Sequence, residues 1–123
     1  MDIQELCLKA HDNAIDKGFY EIEKTVSNNN TLAAILVSDK LMGLIEEVME
    51  IRELLQHGKT PVVLGNACHY EDIKDTIAEE LADVWIRLGS LTAQLNQTST
   101  IETIIGIKMA YNKTRPYKHG KVF

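Results

Sequence analysis

Pro61 and Pro116 are the only prolines in 123 residues, and the long stretches they leave uninterrupted carry apolar residues at helical rather than alternating spacing. Proline removes a backbone donor and clashes with the preceding helical turn, so a chain this poor in it can form long helices. Apolar residues recurring at i, i+3, i+4 and i+7 indicate that it does. The pattern predicts a first helix from about Asp2 to Val26, ending in Ser27-Asn28-Asn29-Asn30, with Gly18 a weak point inside it. A second runs from near Thr31 to about His57, where Gly58 supplies a C-terminal stop. After a loop containing Pro61 and Gly65, a third spans about Asp72 to Asn96. The fourth opens on Ser99-Thr100-Ile101-Glu102, a capping-box pattern, and ends near Thr114. The expected fold is all-α: a single domain over residues 1–123, built as a four-helix bundle, with packing against a partner subunit a natural extension.

Bulk properties narrow the function. With 45% hydrophobic and 25% charged residues the chain has the composition of an ordinary globular domain. No apolar run reaches the roughly 18 residues that a membrane-spanning helix needs. The opening Met1-Asp2-Ile3-Gln4-Glu5 lacks a basic region ahead of an apolar run, so no signal peptide is expected and the cytoplasm is the predicted location. Cys7 and Cys68, far apart and without CxxC spacing, indicate neither a disulfide framework nor a zinc ribbon. The net charge of −5 argues against a surface for the backbone of DNA or RNA. It does not exclude small phosphates, provided a metal ion or a local basic patch reverses the field where they bind.

Both elements are suggested by the helices. On the second, Leu41, Leu44, Ile45, Val48, Ile51 and Leu55 form one apolar arc, with Glu47 at its edge and Glu50 slightly outward. On the third, Ile77, Leu81, Val84, Trp85, Leu88, Leu91 and Leu95 form the matching arc, bordered by Glu80 with Asp83 three residues on. Residues three apart on a helix are neighbours, so each pair offers two carboxylates to one cation from one side. Four oxygen donors suit magnesium or manganese better than zinc. Without a cation, carboxylates this close repel. The plain alternative is four solvated surface charges. Glu46 and Glu79 precede the two pairs and are candidates to orient a water or accept its proton, unless they too are simply solvent-facing.

Lys108, Asn112 and Arg115 share one face of the fourth helix, continuing a stripe whose N-terminal part, Ile101, Ile104 and Ile105, is expected to be buried. A lysine, an amide and an arginine directed at an acidic pocket would suit a phosphate chain bridging metal and cations. The macrodipole alone also favours basic residues at a helix C-terminus. Lys118, His119 and Lys121 add positive charge in the tail. His11 is a candidate base contact or a satisfied, partly buried histidine, and Trp85 reads more strongly as core than as a stacking platform. Gly18-Phe19-Tyr20 would bend the first helix or line a base pocket. Cys68-His69 with His57 matches no standard metal spacing.

Taken in order, Glu46-Glu47-Val48-Met49-Glu50, then Glu80-Leu81-Ala82-Asp83-Val84, then the run from Lys108 through Arg115-Pro116-Tyr117-Lys118-His119-Gly120 resemble the MazG-like branch of the all-α nucleoside triphosphate pyrophosphatases. The resemblance covers roughly residues 30 to 123. It implies that Glu47, Glu50, Glu80 and Asp83 are magnesium ligands, with manganese a possible substitute, and that Lys108, Asn112 and Arg115 are phosphate-binding and metal-supporting positions. Lys118, in the basic tail, is a candidate to close over a bound polyphosphate or a residue that merely keeps the tail soluble. The resemblance implies hydrolysis of a ribo- or deoxyribonucleoside triphosphate to monophosphate and pyrophosphate, a nucleotide-pool house-cleaning reaction, by a homodimer or homotetramer with sites between subunits. The stretch from Ile51 to Glu79 that separates the motifs is long for the pattern, and how the nucleobase side closes is left open. Rival expectations are a dUTPase- or dCTPase-like relative, a phosphoribosyl-ATP pyrophosphohydrolase relative, and a non-catalytic helical bundle whose acidic face binds a protein.

Overall fold

The computed structural model describes residues 1–25, 29–59, 65 and 67–117; the expectations resting on Val26, Pro61, Lys118, His119 and Lys121 lie outside them. Among the described residues the regular structure is entirely helical, in six segments: α1 Ile3–Asp16, α2 Glu21–Thr25, α3 Asn30–Gln56, α4 Tyr70–Ile73, α5 Ile77–Gln94 and α6 Ile101–Thr114.

Local chemistry explains most boundaries. Asp2 caps α1 by accepting from the Glu5 amide at 2.7 Å, and Asn29 caps α3 by accepting from the Leu32 amide at 3.0 Å. The single first helix that the spacing predicts is in fact two. Its chain turns at Gly18, whose φ of +85° is left-handed, and resumes as α2. Gly58 ends α3 in the same way, at φ +80°. The predicted third helix is also divided: Asp75 takes φ +60°, which separates the short α4 from α5, and Thr76 then caps α5 by accepting from the Glu79 amide at 3.2 Å. The Ser99–Glu102 capping box does not form. Thr100 is the N-cap instead, and its hydroxyl turns back to Gln97 Oε1 at 3.0 Å.

α5 is the centre of the fold, packed against α1 on one side and α3 on the other, while α6 lies chiefly along α1. Close approach of α1 and α5 depends on small residues. A Cβ at Gly89 would sit 3.4 Å from Leu6 Cγ and 3.5 Å from the Cys7 backbone, and Cys7, Ala10, Ser90 and Leu91 are buried at this seam. The Ser90 hydroxyl meets Tyr20 Oη at 2.9 Å and His11 Nδ1 at 3.2 Å, satisfying the polar group that burial would otherwise penalise. Lys40 of α3 donates to the Phe19 carbonyl at 2.5 Å and lies 4.8 Å over the Tyr20 ring. The turn between α1 and α2 is thereby tied to both α5 and α3.

The apolar arcs are less covered than their spacing predicts. Trp85, expected in the core, is 53% exposed. Leu41, Ile45, Val48 and Leu55 of α3 are exposed, as are Ile104 and Ile105 of α6, the latter two expected to be buried. The physical reason is that α3 and α6 carry apolar residues around more of their circumference than one neighbouring helix can cover. No helix among the described residues is long and apolar enough to cross a membrane.

Candidate metal centre

α3 and α5 run antiparallel, and their register aligns the two acidic pairs. Glu50 meets Glu80, Glu47 meets Asp83, and one turn further along Gly43 meets Arg87. Oxygen atoms of Glu47, Glu80 and Asp83 all lie within 4.8 Å of one another. Glu50 is more exposed and lies against Glu80 rather than within this trio.

The electrostatics are those of carboxyls held too close together. Glu80 is pushed up to about 7, first by burial, then by a hydrogen bond in which its protonated carboxyl donates to Glu50, and then by the charges of Glu50, Asp83 and Glu47. Glu47 and Asp83 are raised as well, burial being the leading cause for each, with Arg87 acting in the opposite direction on both. Glu80 Oε2 is buried without a partner that satisfies it as an ionised oxygen. Three converging carboxylate oxygens, with one further buried oxygen of Glu80 unsatisfied, are a donor set of the kind that could hold a metal ion.

The remaining predicted residues are placed differently. Both carboxylate oxygens of Glu79 are engaged, one accepting from Tyr70 Oη at 2.5 Å and the other from the Asp75 amide at 2.7 Å. These bonds hold its carboxyl below the usual range and push the Tyr70 hydroxyl up to about 12. Glu46 is exposed beside Glu47. His11 is half-buried and bonded to Ser90, with its ring edge-on to Tyr20 at 4.7 Å. On α6, Lys108 Nζ lies 4.8 Å over the Tyr111 ring and Arg115 Cζ lies 5.9 Å from the same ring, so both cations stack on their own helix. Asn112 is half-buried with an unpartnered Oδ1. None of these three α6 residues lines the cleft beside the acidic centre. His57 Nδ1 lies 2.8 Å from the Glu53 carbonyl, and Cys68 is exposed.

That cleft, about 220 Å³ in volume, opens between α1, α3 and α5, with Glu47 and Asp83 at one end and Phe19, Tyr20, Lys40 and Ser90 along it. It contains the one residue of the centre that sequence reasoning passed over, Arg87. Its Nε donates to Glu47 Oε1 at 2.7 Å, linking α5 to α3 across the acidic rung. The signal available for it in the sequence was the i,i+4 ion-pair spacing of Asp83 and Arg87; the room that Gly43 leaves for the guanidinium emerges only from the register of α3 and α5. No protein-family model matches the chain, and no curated protein or solved structure matches it.

Proposed function

We propose that the chain is a divalent-cation-dependent hydrolase that cleaves nucleoside triphosphates to monophosphate and pyrophosphate. The observation that carries this reading is the convergence of Glu47, Glu80 and Asp83 oxygens within 4.8 Å, next to a cleft that holds the cationic side chains of Lys40 and Arg87. Glu47, Glu80 and Asp83 would hold the cation, magnesium in the first instance, with Glu50 completing the set from α3. A bound magnesium ion supplies charge neutralisation for phosphates and lowers the pKa of water.

The protein's own residues account for the rest. Glu80 gives up its proton as the site is loaded, because its carboxyl is held near neutrality only while no cation relieves its neighbours. Glu79 is committed to Tyr70 and Asp75, which leaves Glu46, exposed beside Glu47, the better candidate to orient a water or take its proton. Lys108 and Asn112 are carried by α6, with Arg115 at its C-cap, and α6 packs less closely on its neighbours than α1, α3 and α5 do. The reading assigns them to phosphates in an assembled site formed between subunits of a four-helix bundle. Turnover is tested by pyrophosphate release from a panel of nucleoside triphosphates with magnesium.

The apolar surface supports the homodimer or dimer-of-dimers part of this reading. Ile104, Ile107 at 65% exposure and Tyr111 are exposed at i, i+3 and i+7 on α6, and Leu41, Ile45 and Val48 at i, i+4 and i+7 on α3, so each helix presents an apolar stripe rather than scattered single residues. A stable dimer needs roughly 1,000 Å² or more of buried area, which faces of this kind can supply. Sedimentation equilibrium is expected to give a multiple of the 13.8 kDa chain mass. Ile107→Glu is expected to shift the population toward the single chain, and a wild-type protein that is monomeric at micromolar concentration would contradict the assembly.

A further inference from the structure

We propose that Arg87 is the internal counter-ion of the acidic centre, displaced from Glu47 when a divalent cation binds and then free to take the anionic group of a ligand in the adjoining cleft. This rests on the reading of Glu47, Glu80 and Asp83 as a cation site. Three observations lead to it. The first is that Arg87 pairs directly with a member of the trio, its Nε 2.7 Å from Glu47 Oε1, so guanidinium and cation compete for the same negative charge. The second is freedom to move: the Arg87 side chain is 45% exposed, whereas that of Glu47 is 12% exposed, and the residue facing the guanidinium from α3 is Gly43, whose missing Cβ would lie 3.4 Å from Nη1.

The third observation concerns what else the cleft offers an anion. Lys40 is its other cation, but Lys40 is already bound to the Phe19 carbonyl, lies 3.6 Å from Glu23 and covers the Tyr20 ring. Arg87 is therefore the cation of the cleft whose partner a metal ion would replace. A dication placed about one helical turn away repels the guanidinium and at the same time removes its reason to stay on Glu47. Swung toward Lys40, it presents a planar fork of donors suited to a phosphate or carboxylate, beside the apolar walls of Phe19 and Ile86.

Two binding measurements with opposite expected signs test this. Calorimetric titration with manganese alone is expected to show Arg87→Met binding the ion about tenfold tighter than wild type, because the competing charge is gone. Titration of cation-loaded protein with an α,β-methylene nucleoside triphosphate is expected to show the same variant binding about tenfold weaker. Arg87→Lys, which keeps the charge, should recover much of both wild-type values, and circular dichroism should show unchanged helix content in all three proteins. Manganese affinity that falls or stays the same in Arg87→Met would overturn the inference, since Arg87 would then be holding Glu47 in place for the ion. Wild-type protein that binds no divalent ion would end the underlying cation-site reading as well, and that outcome is visible without any variant.

Discussion

Glu80→Gln is expected to lower the rate of pyrophosphate release by at least about 100-fold, the upper end of what losing even an outer-shell partner of a metal site costs, while making the cation-free protein more stable above pH 7. The two effects have one cause. Glu80 is the carboxyl most strongly opposed by its surroundings, half-buried beside Glu50, Asp83 and Glu47 and pushed up to about 7. Ionising it adds a fourth negative charge to a cluster whose one cationic neighbour, Arg87, is already paired with Glu47, so its ionised state works against the fold and for the cation. Glutamine keeps the shape, cannot ionise, and its amide still donates to Glu50. A melting curve at pH 8 without divalent ions should therefore show the variant a few degrees above wild type, on the order of 2–5 °C. Loss of activity together with loss of stability would instead mark Glu80 as a structural residue.

The second large effect is the dependence of stability on pH and magnesium together. Glu80 titrates near 4.5 in an unfolded chain and near 7 in the folded one. Its proton therefore stabilises the fold fully below about pH 4.5, and that contribution is lost progressively as pH rises through 7. Glu47 and Asp83 are raised and act in the same direction. Cation-free protein should accordingly lose melting temperature between pH 5 and pH 7.5. Magnesium competes with protons for these oxygens, so its stabilisation should be near zero at pH 5 and largest at pH 8. At one hundred times its dissociation constant a ligand contributes about 2.7 kcal/mol, and at a few degrees per kcal/mol for a domain of this size the gain is on the order of 10 °C. Parallel melting curves with and without magnesium across this pH range would mean that the carboxylates hold no ion.

The acidic centre was legible in the sequence for a geometric reason. Glu47 with Glu50 and Glu80 with Asp83 are each three apart at the edge of an apolar arc, and antiparallel neighbours bring such edges together. Helix breaks were legible only where the residue type forces them. Gly18 and Gly58 stand at turns that need φ above zero, but Asp75 takes the same conformation with a side chain that gives no comparable warning. The capping box at Ser99 failed because Thr100 bonded to Gln97, a competition among short-range partners that a four-residue pattern does not encode. Exposure of Trp85, Ile104 and Ile105 was not legible either, since an apolar arc states that a face seeks cover without stating what covers it. Arg87 was missed because an arginine one turn after an aspartate usually belongs to the surface. What sets it apart is Gly43 opposite, a pairing that exists only once the register of α3 and α5 is known.

Product analysis distinguishes which phosphoanhydride bond is cleaved. Purified protein with magnesium should be offered the common and the deaminated ribo- and deoxyribonucleoside triphosphates, and the products resolved by ion-exchange chromatography. Monophosphate and pyrophosphate are expected in equal amounts from at least one of them, with activity abolished by chelation and restored by magnesium. No pyrophosphate from any of them, or diphosphate and inorganic phosphate in its place, would contradict the proposed hydrolysis.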